Sequence, residues 1–427
     1  GATTVNIDRF TVGSSGVING TSGITVQAQW GANFNNLGSV TTPGNITVQG
    51  SGNTTGGGVT TDSSFFRNSG TVQAANLVLN SSAATNTTAN RGGTYAQTAG
   101  STTLTGALTL SLNGGTGASG TAGNDAAFRL SGGSFTTPGI EMNSGTLTAT
   151  GGTLTLGGSG ISSTGGAPVT LDLGAVTLAA SAPWSSAASM NLTDSSLGTA
   201  VDTSGGNITL GGTLTGSGSL VKSGTGTLEI TGTNTYTGTT KVTAGILAVD
   251  GDSLANSTSL IIDGGRVQPS GGNEVVDTLF FGANQQAAGT WGATGSGATF
   301  IDDTRFTGTG VVTVTSGPAS GYLVWADINA GDGGPDEDFD KDGVPNGVEY
   351  FFGETGSSFT ANPALMNGKV TWPKDPAALA TYVVQTSTNL ADWVPATSGV
   401  VDNGSSVEYT IPTDGPIRFA RIVVTIP

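Results

Sequence analysis

The chain of 427 residues contains 72 glycines, no cysteine and no histidine, and its formal net charge is −16 at pH 7. Without cysteine or histidine it has no disulfides, no thiol nucleophile, no serine–histidine–aspartate triad and no histidine metal ligand. The acidic balance disfavours nucleic-acid partners and favours cations, and no apolar run approaches the ~20 residues of a membrane-spanning helix.

The start of the chain sets a pattern that continues for most of its length. Strand-length runs at residues 3–7, 23–26 and 44–48 are separated by Gly, Asn and Thr clusters that favour turns. Within each run apolar residues alternate with polar ones, which is typical of a strand with one face in a core. The runs lie ~20 residues apart, close to one coil of a three-faced β-helix. The pattern predicts an all-β fold, with a parallel β-solenoid of ~15 coils and ~70 Å over residues 1–317.

Residues 218–251 carry the most regular pattern. They include Gly224-Thr225-Gly226-Thr227-Leu228, Asn234-Thr235-Tyr236-Thr237-Gly238 and Ala244-Gly245-Ile246-Leu247. This stretch resembles the autotransporter-associated β-strand repeat, or passenger-associated transport repeat, of secreted bacterial proteins. The resemblance implies a right-handed parallel β-helix on the outside of a Gram-negative-type cell, and it implies no chemistry. The chain begins with Gly rather than Met, which is typical of a secreted protein whose signal peptide has been removed.

Residues 279–315 are similar to the segment that closes many bacterial solenoids. Trp291, Phe300 and Phe306 are predicted to cover the last coil, whose open strands would otherwise pair further. The other aromatic residues of the solenoid favour core stacking or end-capping over a sugar-binding platform; they include Trp30, Phe34, Phe66, Trp184 and Tyr236. The linker-like residues 316–321 place a domain boundary after residue 317, followed by a linker with a metal loop at 318–353 and a small domain at 354–427.

A calcium loop is predicted in the acidic segment that follows. From Asp327 to Glu354 there are nine acids and one base. Residues 338–349 match the calcium-loop pattern D-x-[DN]-x-[DN]-G-x5-E in full. Three Asp at alternate positions would repel one another without a cation, which favours calcium over a solvated acidic loop. The predicted ligands are the side chains of Asp338, Asp340 and Asp342, the Val344 carbonyl, Asn346 directly or through water, and Glu349 as a bidentate carboxylate.

The loop and its flanks resemble the thrombospondin type 3-like and EF-hand-like calcium segments of bacterial surface proteins. The supporting residues are Trp325-Ala326 before the loop and 346–353 after it, where one or two helical turns are expected to end at Gly353. A paired second EF-hand is missing, which favours a structural staple at the joint between the solenoid and the C-terminal domain over a calcium-sensing switch. Asp332 and Asp336 either add ligands or only screen charge.

The C-terminal residues predict a small β-sandwich. Alternating runs at 368–372, 381–385, 406–411 and 418–426 are separated by turn signals. Trp372, Tyr382 and Trp393 could line a glycan site, although Trp in a small sandwich is more often part of the core.

Three functions are compatible with these features. The favoured one is a non-catalytic, extracellular structural protein that assembles with itself, head to tail or by strand addition from residues 2–12. The second is a calcium-dependent surface adhesin that binds glycans through its C-terminal aromatic residues. The third is a polysaccharide lyase or hydrolase, which would need clustered carboxylates, whereas the solenoid offers only the pairs Asp250/Asp252 and Asp302/Asp303.

Overall fold

A computed structural model describes residues 3–5, 9–27, 33–50, 64–81, 92–112, 126–163, 169–194, 196–251, 253–256, 258–270, 272–318, 321–331, 333–412 and 418–426. The chain divides into two compact units, Gly1–Gly317 and Pro318–Pro427. Each unit is described by itself.

The first unit consists of short strands joined by turns. Its first half contains β1 (Thr3–Val5), β2 (Arg9–Val12), β3 (Val17–Asn19), β4 (Ile24–Val26), β5 (Asn33–Asn36), β6 (Ser39–Thr41), β7 (Ile46–Gln49), β8 (Phe65–Asn68), β9 (Thr71–Ala74), β10 (Leu77–Ser81), β11 (Thr94–Gln97), β12 (Ser101–Leu104), β13 (Leu108–Leu112), β14 (Ala127–Met142) and β15 (Gly145–Ser162). Its second half contains β16 (Val169–Leu173), β17 (Thr177–Ala180), β18 (Trp184–Ser186), β19 (Met190–Leu192), β20 (Thr199–Asp202), β21 (Ile208–Leu210), β22 (Leu214–Gly216), β23 (Leu220–Ser223), β24 (Thr227–Ile230), β25 (Thr240–Val242), β26 (Ile246–Val249), β27 (Ser259–Ile262), β28 (Arg266–Pro269), β29 (Asn273–Val276), β30 (Thr278–Phe281), β31 (Asn284–Gln285), β32 (Gly289–Gly292), β33 (Phe300–Ile301) and β34 (Val311–Val314).

Strands β1 to β28 stack in parallel, each on its equivalent from the previous coil, along three faces. On one face β1 pairs with β4, β4 with β7 and β7 with β10. The second face begins with β2, β5 and β8, and the third with β3, β6 and β9. The long strands β14 and β15 run round the corners and contribute to all three faces. The unit is therefore the all-β parallel solenoid that the sequence pattern predicts.

The coil count is lower than the predicted ~15. Within the described residues, the first face holds twelve levels between β1 and β28, which corresponds to about 50 Å at ~4.8 Å per level. The difference arises because several early coils are longer than ~20 residues. Ile46 pairs with Leu77 and Leu77 with Leu108, and each of these coils includes a segment that lies outside the described residues.

In-register stacking places residues of the same chemical type on top of one another. An aromatic column runs through five consecutive coils, and its ring centroids are 5.3, 4.6, 5.1 and 6.0 Å apart. Its members are Phe10, Phe34, Phe66, Tyr95 and Phe128. From Phe34 onward these side chains are fully buried, so they belong to the core, as do Trp184 and Tyr236. Trp30 lies outside the described residues.

A polar column lies beside the aromatic one. Asn36, Asn68 and Gln97 are almost completely buried and occupy equivalent positions in three coils. The Asn36 amide donates to Asn68 Oδ1 at 2.9 Å, and the Asn68 amide donates to Gln97 Oε1 at 3.3 Å and to Thr102 Oγ1 at 3.2 Å. Each side chain satisfies its neighbour, which removes the cost of burying an unpaired polar group.

A buried cation occurs later in the solenoid. The Lys222 ammonium is enclosed by three backbone carbonyls, those of Ser223 and Gly224 at 2.8 Å and that of Ala244 at 3.0 Å. Burial lowers the pKa of Lys222 to about 8, against the opposing effect of the Asp202 charge. The side chain thereby ties two successive coils together.

The aromatic residues predicted to close the solenoid do so. The rings of Trp291 and Phe300 stack at 4.5 Å, and Phe281 contacts Trp291 edge to face at 5.2 Å. Phe306 is fully buried and bridges to Val267 of β28. β32, β33 and β34 of this closing segment form a separate four-stranded sheet with β29, in which β32 pairs antiparallel to β34. The change from parallel to antiparallel pairing ends the regular stack.

The second unit contains two helices and six strands within the described residues. They are α1 (Gly321–Asn329), α2 (Asn346–Phe352), β35 (Lys369–Pro373), β36 (Thr381–Ser387), β37 (Val394–Pro395), β38 (Val400–Asp402), β39 (Ser406–Thr410) and β40 (Phe419–Thr425). They build two three-stranded antiparallel sheets, ordered β35-β39-β38 and β37-β36-β40. Phe351, Trp372, Val384, Val407 and Tyr409 form their common core. Neither helix is long and apolar enough to cross a membrane.

A column of glycines marks the turn between the second and third faces. A Cβ added to Gly70 would lie 2.1 Å from the carbonyl oxygen of Gly38, and one added to Gly100 would lie 2.0 Å from that of Gly70. Backbone from the coil below occupies the space that a side chain would need. By contrast, nothing lies within 4 Å of a Cβ added to Gly13.

We therefore expect Gly70→Ala to lower the free energy of unfolding by about 1–3 kcal/mol or more, since the clash is with backbone and cannot be relieved by a rotamer change. Urea unfolding followed by circular dichroism measures the change. Gly13→Ala is the matched control and should alter stability by less than about 1 kcal/mol. Equal effects of the two substitutions would contradict the stacked arrangement of this turn.

Candidate metal centre

The predicted calcium loop lies between the two helices of the second unit. Helix α1 is anchored by Tyr322, whose hydroxyl donates to the carbonyl of Gly333 at 2.8 Å, and by Trp325, whose indole donates to the carbonyl of Glu354 at 2.8 Å. Helix α2 begins after Pro345 and ends at Gly353, which adopts a left-handed conformation at φ 78°. The helical exit that the sequence predicts at residues 346–353 is confirmed.

Tight turns bring three aspartates of the loop together. Lys341 and Gly343 have positive φ angles of 63° and 95°, which curl the chain around the side chains of residues 338–342. Oxygens of Asp338, Asp340 and Asp342 all lie within 4.8 Å of one another. Each of these side chains is half-buried. Within the part of the chain that the structure describes, this is the one place where three or more potential acidic ligands converge.

Backbone amides hold these carboxylates in place. Asp338 accepts from the amides of Lys341 at 2.7 Å and Gly343 at 2.8 Å. Asp342 accepts from the amide of Val344 at 2.8 Å. The loop therefore has its curled form through its own hydrogen bonds, and the same turn brings the Val344 peptide next to the aspartate cluster.

Glu349 is fully buried on α2, at the last position of the loop motif. Its Oε1 accepts a long hydrogen bond of 3.4 Å from the Thr360 hydroxyl, while its Oε2 has no hydrogen-bond partner in the described structure. Burial raises the pKa of Glu349 to about 7, and the negative charges of Asp340 and Asp342 add to the effect. A buried carboxylate oxygen with no partner beside an acidic cluster is the environment that a bound cation would stabilise.

Asn346 ties the two ends of the loop together. It is fully buried, its Oδ1 accepts from the amide of Phe339 at 3.0 Å, and its Nδ2 donates to the carbonyl of Gly334 at 3.0 Å. Its oxygen therefore has a backbone partner in this structure, and a ligand role for it stays a prediction. Asp336 is exposed and stands outside the aspartate cluster, and Asp332 lies outside the described residues.

Thr360 is a site residue that the sequence pattern does not reveal. Its amide donates to Asp342 Oδ2 at 2.5 Å, and its single hydroxyl proton is shared between Glu354 Oε2 at 2.5 Å and Glu349 Oε1 at 3.4 Å. It lies outside the loop motif, 11 residues after Glu349, so no spacing rule includes it. Chain folding alone brings it to the loop, where it connects three carboxylates.

The arrangement fits a hard divalent cation. It offers several carboxylate oxygens, a curled loop and one buried carboxylate whose charge is uncompensated, and calcium prefers oxygen ligands in flexible geometry. Asp338, Asp340, Asp342 and Glu349 are the residues that would hold the ion. Imidazole and thiolate ligands are excluded, because the chain has no histidine or cysteine.

The aromatic residues predicted to line a glycan site do not lie together on the surface. Trp372 is buried in the core, and Tyr382 packs against that core with its hydroxyl donating to Asp402 at 2.9 Å. Trp393 is half-buried and stacks with the Arg421 guanidinium, 4.3 Å from its ring centroid. These aromatic residues do not present one common platform for a sugar.

The paired acids of the solenoid have local partners. Asp302 binds the Arg305 guanidinium at 2.7 Å, and Asp303 accepts from the amide and hydroxyl of Thr294 at 2.7 and 2.6 Å. Asp252 lies outside the described residues. The carboxylates of Asp302 and Asp303 thus stabilise turns of the closing segment.

Comparison with curated proteins finds no significant match, and comparison with solved structures finds none either. Comparison with protein families finds a match at residues 220–249, to the family described as the passenger-associated transport repeat. The matched stretch contains β23 to β26, two strands from each of two faces, together with the buried Lys222. Such repeats are associated with secreted autotransporter passenger proteins. The resemblance seen in residues 218–251 is thereby confirmed by the match to the passenger-associated transport repeat at residues 220–249.

Proposed function

We propose that this protein is a non-catalytic, extracellular structural protein in which a right-handed β-solenoid is joined to a small β-sandwich domain stapled by Ca²⁺. The observation that carries the calcium proposal is the buried Glu349 carboxylate, whose Oε2 has no partner beside the cluster of Asp338, Asp340 and Asp342. The extracellular location is supported by the transport repeat.

Calcium would act within the second unit. The aspartate cluster belongs to the loop, Glu349 to α2, and Thr360, which binds Asp342 and Glu349, to the segment that leads to β35. An ion held by the loop and by α2 would therefore fix three parts of this unit to one another. Because calcium affinity rises with the number of carboxylates and the rigidity of the loop, this geometry supports a structural staple.

We also propose that the protein assembles with itself. In the described residues β1, β2 and β3 each pair on one side only, with β4, β5 and β6 respectively. Their other edges carry unpaired backbone groups that can accept a strand from a second copy. The opposite end is covered by Trp291, Phe300 and Phe306. This asymmetry favours strand addition at the β1–β3 end over simple head-to-tail stacking.

A glycan-binding adhesin is the alternative, and it has weaker support. It would need exposed aromatic rings, whereas Trp372 is 4% exposed and Trp393 is covered on one face by Arg421. A polysaccharide-cleaving enzyme has less support still, because Asp302 and Asp303 are engaged in local hydrogen bonds.

We expect Ca²⁺ to stabilise the protein by about 2.7 kcal/mol when its concentration is a hundredfold above Kd. Isothermal titration calorimetry measures the affinity and thermal unfolding measures the stability. Glu349→Gln should weaken binding by about tenfold or more, because it removes the buried charge. Glu408→Gln, which affects only an ion pair with Lys369 in the β35–β39 sheet, is the control and should leave the affinity unchanged. Calcium binding that Glu349→Gln does not weaken would contradict the assignment.

We also expect calcium affinity to depend on pH through Glu349. Because its pKa is raised to about 7 in the absence of the ion, a change from pH 8 to pH 6 should weaken binding by about tenfold. Without Ca²⁺, in excess chelator, pH has the opposite effect on the free energy of unfolding. Glu349 binds its proton more tightly in the folded than in the unfolded protein, so stability should fall as pH rises from 4.5 to about 7. Comparison of wild type with Glu349→Gln by thermal unfolding isolates this group. An identical pH profile for both proteins would rule out the raised pKa.

Electron microscopy tests assembly. We expect filaments or extended assemblies in Ca²⁺ that loosen in excess chelator. Val17→Lys places a charge on β3, where Val17 is 64% exposed, and should block strand addition at that edge. Leu197→Lys, at another exposed apolar residue of the solenoid, is the matched control. Dispersed particles of the wild-type protein both in Ca²⁺ and in chelator would refute assembly and favour the adhesin instead.

A further inference from the structure

An open groove of about 430 Å³ lies in the second unit, between the edge strands of its two sheets. One side is formed by Val370 and Trp372 of β35, and the other by Ala420 to Ile422 of β40. Helix α2 contributes Val348 and Phe352. Further lining comes from residues 343–345 of the metal loop and from residues 360–363. A cavity of this size holds a few side chains and no folded domain.

The groove is bordered by strand edges whose backbone amides and carbonyls have no partner strand in the part of the chain that the structure describes. Within the described residues β40 pairs only with β36, and β35 pairs with β39 and, at Lys369 alone, bridges to Met366. β40 is seven residues long, which corresponds to ~23 Å of strand, and its residues 420–422 line the groove. Its unpaired edge offers amides and carbonyls that an added strand would satisfy.

The groove also exposes part of the core. Phe352, Val370, Ala420 and Ile422 pack against the buried cluster that contains Trp372, yet each remains only partly buried. Apolar side chains placed over them would complete that core, and each would be stabilised by removal from water. An occupant therefore needs apolar groups at the spacing of alternate strand residues.

The negative charge of the second unit favours basic residues at the two ends of a segment bound in the groove. Residues 318–427 contain 14 acids and five bases, and the aspartate cluster lies in the same loop as the groove residue Val344. Arg421 is the one charged residue of the lining, and its guanidinium is already bound by Gln385 Oε1 at 2.7 and 2.9 Å. With one Ca²⁺ bound, the three aspartates and Glu349 together keep a net charge of −2, so basic residues at the ends of a bound segment would still meet an acidic surface.

We propose that this groove binds an extended segment of another polypeptide, which adds as a β-strand to β40 and places apolar side chains over Trp372. The segment has apolar residues at alternate positions and basic residues at its ends. This interaction surface is independent of whether the solenoid forms fibres.

The test uses the full chain in saturating Ca²⁺ and fluorescence anisotropy with a labelled synthetic peptide. The probe alternates valine and threonine over seven residues, the length of β40, and has lysine at both ends. We expect saturable binding. Ala361→Trp, at an exposed residue of the lining, should fill the groove and weaken binding by about tenfold or more. Ala364→Trp, which is equally exposed but outside the lining, is the matched control and should bind like wild type.

A second peptide with proline at the threonine positions keeps the apolar residues and removes alternate backbone donors. It should bind at least about tenfold more weakly. Equal binding of both peptides, or loss of binding in both tryptophan variants, would overturn strand addition in this groove. Self-association in sedimentation velocity that Ala361→Trp abolishes would assign the groove to a second copy instead. Binding of a soluble β-glucan oligosaccharide that the same variant abolishes would assign it to glycan. Either result would refute the proposal.

Discussion

The solenoid depends on one constraint: parallel strands in register place each inward-facing residue directly on its equivalent from the previous coil. At ~4.8 Å between strands, only certain neighbours are compatible with that position. Aromatic rings can stack, carboxamides can bond to one another, and glycine can admit a carbonyl from the coil below. The aromatic, polar and glycine columns of this protein each satisfy the requirement that stacked residues be compatible at this distance. Where a column changes type, the core stays filled, as when Phe128 stacks on Leu147 and Leu147 on Leu171.

The second unit meets a different physical problem, which is how to keep negative charge inside a small domain. Glu349 is buried where burial and the neighbouring aspartates both disfavour its ionised form. Backbone amides can stabilise Asp338 and Asp342 because these side chains reach the turns of their own loop. Glu349 Oε2 has no such partner among the described residues. The two units thus differ in what they require from their surroundings: hydrogen bonds and apolar packing fill the first, whereas the second is complete only with a cation, as we propose.

Much of the solenoid could be predicted from the sequence because its signal is local. The alternation in Ile24-Thr25-Val26 and Ile46-Thr47-Val48 fixes which side chains face inward, and these two segments indeed pair residue by residue. The number of coils could not be predicted, because long excursions between strands hide the true period. The aromatic column was hidden for the same reason: Phe10, Phe34 and Phe66 are unequally spaced along the chain, although they are adjacent in space.

For the metal loop, the spacing of the aspartates predicts their convergence, and the structure brings Asp338, Asp340 and Asp342 together. The roles of residues outside the motif could not be found in this way. Thr360 reaches the loop through the tertiary fold, and the position of the groove depends on which strands end up at the sheet edges. Asn346 shows the limit of motif reading, since its carboxamide is used to hold the backbone. The spacing of residues in the motif identifies candidate metal ligands, whereas tertiary packing decides which of their atoms remain free to bind a metal.

The columns have a consequence for how such a protein can change during evolution. A coil contacts only the coils directly above and below it, so the gain or loss of one coil leaves the rest of the stack unaltered. The requirement is local: the new coil must present an aromatic residue, a carboxamide or a glycine where its two neighbours do. The chain can therefore be lengthened or shortened by duplication or deletion of whole coils within a column of constant type.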